Sequence, residues 1–146
     1  MYSEILVPTD GSGTSEAAVE HAVYLADRCD GRVHGLFVVD SGPLESISGG
    51  YPEAVSKIEQ LGDEAVERVR QAGEERGVET ETSVVRGTVH RTIRQYIDDN
   101  DIDTVVMGTH GRQGVGRHLL GSVTERIIRT VDVPVVAVTE SGESTD

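Results

Sequence analysis

Several residue types are scarce in this chain of 146 residues, and each scarcity excludes a class of protein. Cys29 is the only cysteine, which excludes a disulfide framework and a cysteine-based zinc site, and we expect its side chain to be buried. Tryptophan is absent and Phe37 is the only phenylalanine, so the core must be aliphatic. No apolar run approaches the roughly 18 residues of a membrane span, and no basic segment opens the chain as in a secretory signal. We therefore expect a cytoplasmic protein that does not associate with membranes.

Positive charge is also scarce, because 13 Lys and Arg face 26 Asp and Glu and leave a net charge of -13. A chain this acidic repels the phosphates of nucleic acids, so nucleic acid is excluded as a partner. Lys57 is the only lysine. Excess carboxylate with almost no lysine favours adaptation to high salt, which screens self-repulsion. A GC-rich genome would also replace lysine by arginine, but it would not explain the excess carboxylate.

Apolar runs and helical periodicities alternate along the chain in the order βαβαβαβαβ. The predicted strands are 4–8, 32–39, 79–85, 103–107 and 133–138, and the predicted helices are 14–28, 53–76, 88–100 and 122–130. We expect Gly77 to end the second of these helices. Such alternation predicts an α/β fold with one parallel sheet and helices on both of its faces. We expect one domain over residues 1–139, followed by a polar tail over residues 140–146.

Two unusual segments follow predicted strands, at the positions where open parallel sheets bind ligands. The first is Pro8-Thr9-Asp10-Gly11-Ser12. The second runs from Gly108 to Thr124, contains five glycines and ends at the start of a helix. Glycines allow backbone N–H groups to approach phosphate oxygens, and a helix start carries positive partial charge. The second segment therefore predicts a phosphate site, although a loop that only turns and caps a helix would also need glycine.

Individual side chains of the second segment strengthen the prediction of a phosphate site. Arg112 and Arg117 could add positive charge, and His110 could contact phosphate or only position the loop. Ser122 with Glu125 three residues later is a capping-box pattern, which predicts that Ser122 is the residue that caps the helix.

The spacing of Gly108, Gly111 and Gly121-Ser122 resembles the ATP-binding signature of the universal stress protein family. Three other segments resemble that family as well. They are the first strand and turn (Ile5-Leu6-Val7-Pro8-Thr9-Asp10-Gly11-Ser12), the Leu120-Gly121-Ser122-Val123-Thr124 stretch, and the last strand (Val133-Pro134-Val135-Val136-Ala137-Val138). The resemblance covers about residues 3–138.

The resemblance implies an adenine nucleotide alpha hydrolase-like fold, an open five-stranded parallel sheet in the order 3-2-1-4-5. It also implies an ATP site between the first and fourth strands, and it leaves open whether Mg²⁺ or Mn²⁺ accompanies the ATP. Asp10 would lie near adenine or ribose, and the backbone of Val38 would meet the adenine edge. The full set of implied nucleotide contacts is Pro8, Thr9, Asp10, Val38, Met107, Gly108, His110, Gly111, Arg112, Gly121, Ser122, Val123 and Thr124. The family further implies a homodimer through strand 133–138, and no charge interrupts that strand.

Four other nucleotide or phosphate sites fit the sequence less well. Residues 11–16 partly imitate a dinucleotide fingerprint, but Glu16 replaces its third glycine. A P-loop needs Gly-Lys-Ser/Thr, and the only lysine is inside a predicted helix. A response-regulator receiver needs an aspartate after the third strand and a lysine after the fifth. A pyrophosphatase-type ATP site needs Ser-Gly-Gly-x-Asp-Ser after the first strand.

No set of nucleophile, base and orienting group stands out in the sequence. An ATP-binding regulatory homodimer of the stress response, with little or no hydrolysis, is the favoured hypothesis. A slow ATPase or an enzyme that transfers phosphate or adenylate is the alternative, and an interaction module without nucleotide is the third.

Overall fold

The computed structural model describes residues 2–40, 52–109 and 121–139 of the chain. The strands are β1 (Glu4–Pro8), β2 (Arg32–Val39), β3 (Glu79–Arg86), β4 (Thr104–Gly108) and β5 (Val135–Val138). The helices are α1 (Gly13–Cys29), α2 (Pro52–Arg76), α3 (Val89–Asp99) and α4 (Ser122–Thr130). The predicted alternation of strands and helices is confirmed, and most boundaries agree within a residue or two.

All five strands are parallel and form one sheet in the order β3-β2-β1-β4-β5, as the family resemblance implies. The central strand β1 lies between β2 and β4, so Ile5 is in register with Val33 on one side and Thr104 on the other. The chain leaves β1 towards one edge of the sheet and leaves β4 towards the other. The switch point is therefore the gap between the carboxyl ends of β1 and β4.

Helices cover both faces of the sheet, as the sequence predicts. On the face covered by α1 and α2, alternate strand residues such as Ile5 and Val33 pack against helix residues such as Ala22 and Val69. The α3 and α4 face is packed by the intervening strand residues, with Ile93, Ile97 and Ile127 from the helices. Burial on both faces explains why the strands are continuous apolar runs rather than alternating ones. The core is aliphatic apart from Phe37, which packs between β2 and α2.

Two sequence expectations about the fold need correction. The last strand begins at Val135 rather than at residue 133, because the preceding Pro134 cannot donate a ladder hydrogen bond. The carbonyl of Pro134 still accepts a 2.9 Å hydrogen bond from the N–H of Val105. Val133 instead packs, half-buried, against the α3 and α4 face. Cys29 is exposed rather than buried, because it is the last residue of α1.

Helix α2 ends as the sequence predicts, at a glycine. Gly77 adopts a φ of 71°, which side chains rarely tolerate, and the N–H of Val78 donates to the carbonyl of Gly73 at 2.8 Å. None of the helices in the described residues combines the length and the apolar character needed to cross a membrane.

Candidate functional site

The segment after β1 is held rigidly against its neighbours. Pro8 is half-buried at the end of the strand, and Thr9 is buried. The N–H of Thr9 donates to the carbonyl of Leu36 at 2.9 Å, which joins the end of β1 to β2. The hydroxyl of Thr9 lies 3.0 Å from the hydroxyl of Ser15, in the first turn of α1. These contacts fix the backbone on the β1 side of the switch point.

Asp10 lies in the turn between β1 and α1, and it is half-buried. Its carboxylate accepts hydrogen bonds from the N–H of Ser12 at 2.9 Å and from the hydroxyl of Ser15 at 3.2 Å. Gly11, at a φ of 82°, makes this tight turn possible. Ser12 caps α1 by accepting from the N–H of Ser15 at 3.2 Å. The start of α1 therefore has a side-chain cap of its own.

Ser15 connects these residues, and sequence reasoning did not single it out. Its hydroxyl contacts Thr9, Asp10 and Ser12. The signal was present in the sequence, because a Ser three residues after a Ser at a helix start is well placed to contact its cap. The position of Ser15 sets where the Asp10 carboxylate lies.

The ends of the glycine-rich segment are joined to β4, β5 and each other. The N–H of Thr109 donates to the carbonyl of Val138 at 2.9 Å, and the N–H of Gly121 donates to the carbonyl of Thr109. The hydroxyl of Thr124 donates to the carbonyl of Gly108 at 2.7 Å. The glycine-rich segment therefore begins and ends next to the carboxyl end of β4. The predicted contacts His110, Gly111 and Arg112 lie outside the described residues.

Gly108 brings the two halves of the switch point into contact. A Cβ at this position would lie 2.9 Å from Cγ2 of Thr14 and 3.0 Å from the backbone carbon of Thr14. Such distances are too short for real side chains, so only glycine lets the first turn of α1 pack across the end of β4. The glycine pattern predicts that Gly108 lets phosphate approach, whereas the described contact is with α1.

The start of α4 differs from the predicted capping box. Gly121 is the residue that precedes the helix, in an extended conformation, and Ser122 is the first helical residue with an exposed side chain. The N–H of Glu125 donates to the carbonyl of Gly121 at 3.0 Å, so the helix begins one residue earlier than a Ser122 cap would allow. Glu125 is thus in the fourth helical position, and its carboxylate pairs with Arg129 at 3.1 Å. Ser122 is therefore not the cap.

A helix start capped by glycine leaves its first N–H groups without a side-chain acceptor. No side chain of the described residues accepts from the N–H groups of Ser122, Val123 or Thr124. These groups, with the positive end of the helix dipole, suit a phosphate. The start of α1 makes the opposite arrangement, because Ser12 already accepts there. At the switch point, α4 is therefore the helix whose start has no side-chain cap within the described residues.

Other predicted contacts have side chains that point into the core. Met107 is buried against the α3 and α4 face, and Val38 and Val123 are half-buried against the same cluster. Thr124 is also buried, and its hydroxyl hydrogen is engaged by Gly108. A ligand at the sheet edge could reach Met107 and Val38 only through their backbone atoms. Within residues 2–40, 52–109 and 121–139, no three His, Cys, Asp or Glu side chains form a group that could hold a metal ion.

Comparison with known proteins gives a consistent family. The universal stress protein family model matches residues 1–139. Universal stress protein MJ0531 of Methanocaldococcus jannaschii is 36% identical over 140 residues, covering 94% of this chain and 82% of that protein. The structure of hypothetical protein MJ0577, from the same organism, has a TM-score of 0.85 at 30% identity and covers 98% of this chain and 99% of its own. The structure of a universal stress protein in complex with cAMP has a TM-score of 0.69 at 25% identity. The match covers 96% of this chain and 98% of that protein.

The strand order and the switch point define an α/β protein of the adenine nucleotide alpha hydrolase-like class. With the match over residues 1–139, the chain belongs to the universal stress protein family.

Proposed function

We propose that this protein binds ATP at the carboxyl ends of β1 and β4 and acts as a regulatory protein of the stress response. The observation that carries the proposal is the start of α4, where Gly121 provides no side-chain cap. No side chain of the described residues accepts from the three backbone N–H groups there, and the Thr124 to Gly108 bond holds these groups at the switch point. Phosphate oxygens are the acceptors that such a helix start favours. The relative in complex with cAMP supports an adenine nucleotide as the ligand class.

The ATP would lie across both halves of the switch point. Pro8, Thr9, Asp10 and the backbone of Val38 would contact adenine and ribose. The phosphates would be held by backbone groups of Met107, Gly108, Gly121, Ser122, Val123 and Thr124, with His110, Gly111 and Arg112. The rigid turn around Asp10 supports this proposal, because its carboxylate is already oriented by Ser12 and Ser15. A preorganised acceptor costs less entropy when a ribose hydroxyl donates to it.

We further propose that hydrolysis is slow or absent. The hydroxyl of Thr124 already donates to a carbonyl, and a base aimed at an attacking water is not evident in the described part of the site. Mg²⁺ or Mn²⁺, if it accompanies ATP, would be held mainly by phosphate oxygens and water, which is how Mg²⁺ usually binds nucleotides. Steady-state turnover near ordinary enzyme rates, about one per second or faster, would instead establish the alternative of an ATPase or a transferase.

Ser122 offers a sharp test of ATP binding. Its side chain is exposed, and an acidic residue in the first turn of a helix stabilises the helix. Ser122→Glu should therefore leave folding intact while its carboxylate repels the phosphates. Ser122→Gln is the matched control of similar size without charge. We expect calorimetric titration to show ATP binding at least about 10-fold weaker in Ser122→Glu than in Ser122→Gln, a difference of about 1.4 kcal/mol.

Two outcomes would contradict the assignment of the ATP site. Equal ATP affinity in the two variants would show that the phosphates do not bind at the start of α4. The absence of ATP binding by the unmodified protein would favour an interaction module without nucleotide.

We also propose a cytoplasmic homodimer adapted to high salt. Strand β5 is at the edge of the sheet and pairs only with β4 within the described chain. An unprotected apolar edge can pair with the same strand of a second copy around a two-fold axis. The net charge of -13 supports adaptation to high salt.

A further inference from the structure

Among the arginines that the structure describes, three have no polar partner for the guanidinium group. Arg32, Arg68, Arg70, Arg76, Arg86 and Arg129 each form an ion pair with a carboxylate. Arg91, Arg94 and Arg126 are exposed, and within residues 2–40, 52–109 and 121–139 their guanidinium groups form neither an ion pair nor a hydrogen bond. Unpaired cations are unexpected in a chain with twice as many acidic as basic residues.

The three arginines lie on one surface together with His90. Arg91 and Arg94 are three residues apart on α3, and His90 is four residues before Arg94, so successive turns place all three on neighbouring positions of the helix. Arg126 is on α4, the helix packed beside α3. Partial burial and the positive charges of Arg126, Arg91 and Arg94 lower the pKa of His90. The two helices therefore contribute to a single positive surface, which we call the α3–α4 basic surface (His90, Arg91, Arg94 and Arg126).

The backbone of α3 adds to this positive potential. The first turn of the helix contains no acidic residue, and Thr88 at its start makes no side-chain cap. The helix dipole is therefore uncompensated at the end that carries His90 and Arg91. On α4, Glu125 does not neutralise the surface either, because its carboxylate is paired with Arg129.

We propose that the α3–α4 basic surface docks a short acidic segment, rich in Asp or Glu, of a partner protein. Charge complementarity favours this partner, because no carboxylate of the described residues pairs with the three guanidinium groups, and each can form a bidentate pair with a carboxylate of a partner. The size of the surface favours a peptide over a nucleic acid. Two packed helices lie about 8–10 Å apart, so the basic surface is short. A duplex carries a charge about every 1.7 Å along its whole length, so its phosphates would continue beyond this surface. A nucleic acid would extend past the surface onto a protein of net charge -13.

The test uses the whole chain and a fluorescein-labelled peptide of about ten residues, most of them Glu or Asp, as the probe. Fluorescence anisotropy would compare the unmodified protein with the triple variant Arg91→Gln, Arg94→Gln and Arg126→Gln. The matched control is Arg68→Gln, Arg70→Gln and Arg86→Gln, which removes the same charge from arginines that are already paired. All six side chains are exposed, so both variants should fold.

We expect the unmodified protein to bind the peptide, the triple variant to bind at least about 10-fold more weakly, and the control to stay within about 2-fold. Binding should also weaken as the salt concentration rises. Lack of binding by the unmodified protein at about 0.1 M salt would overturn the proposal, as would equal losses in both variants, which would reflect overall charge alone.

Two further measurements separate this surface from other anion sites. A single-stranded DNA of the same charge that bound more tightly than the peptide, and lost affinity in the same variant, would replace the acidic peptide by nucleic acid. ATP affinity should be unchanged in the triple variant. Loss of ATP binding together with unchanged peptide binding would assign the arginines to the nucleotide site and overturn the proposal.

Discussion

The hydroxyl of Thr124 donates a 2.7 Å hydrogen bond to the carbonyl oxygen of Gly108. Sixteen residues separate the two along the chain, and the bond joins the first turn of α4 to the end of β4. It explains why a threonine occurs at this position of a helix start, where its side chain is buried. The same bond orients the N–H groups that we propose to hold phosphate, so we expect stability and ligand binding to be coupled there.

Replacement of Thr124 by valine tests this coupling. Valine has the same shape but no donor, so the carbonyl of Gly108 would lose its partner. We expect Thr124→Val to lower the free energy of unfolding by about 1 kcal/mol and to weaken ATP binding, measured by denaturant titration and calorimetry. Thr124→Ser keeps the donor and is the control. If the valine variant matched the serine variant in both measurements, the bond would not position α4.

Asp103 should contribute to stability in a pH-dependent way. Its carboxylate accepts from the N–H groups of Ser3 at 2.9 Å and Glu4 at 3.2 Å and from the hydroxyl of Thr104 at 2.9 Å. Burial raises the pKa of Asp103, but these hydrogen bonds outweigh it, and the pKa is lowered overall. A lowered pKa stabilises the fold above the unfolded value of about 3.9, and that contribution disappears as the pH falls through the folded value.

Asp103→Asn measures this contribution. The variant should be less stable than the unmodified protein at pH 7, and the difference should shrink as the pH falls below about 4. Urea unfolding at a series of pH values would follow both proteins. A difference in stability that stayed constant across this range would show that the charge of Asp103 is not responsible.

The proposed dimer is best tested at Ala137. Val138 is a poor choice, because it is buried in the core of its own subunit and a charge there would unfold the protein. Ala137 is exposed on the same edge strand. We expect light scattering to detect a dimer for the unmodified protein and a monomer with unchanged circular dichroism for Ala137→Asp. A monomeric unmodified protein at micromolar concentration in high salt would refute the dimer.

Salt should stabilise the protein. A net charge of -13 on a small domain produces self-repulsion that counterions screen. We expect the melting temperature to rise steeply between roughly 0.1 M and 2 M KCl, because the added salt screens this repulsion. A flat response would leave codon usage as the better explanation of the Arg-for-Lys pattern.

Local patterns in the sequence were sufficient to predict the strands and helices that the structure describes. Apolar runs predicted all five strands, helical spacing predicted the four helices, and Gly77 marked the end of α2. These features depend on neighbours a few residues apart, which the sequence shows directly. The strand order came from the family resemblance, because periodicity does not say which strands are adjacent. The place of the proposed nucleotide site follows from that order, since ligands bind where it reverses.

Contacts between distant residues were decided only by the tertiary structure. The capping pattern at Ser122 was misleading, because the bond of Thr124 to Gly108 and the contact of Gly121 with Thr109 place the helix start one residue earlier. The glycine at 108 is required by the close approach of Thr14, which no local pattern contains. The proximity of Arg126 to His90 depends in the same way on how two helices pack. Local spacing determines helices and strands, whereas the partners of a side chain depend on which elements the fold brings together.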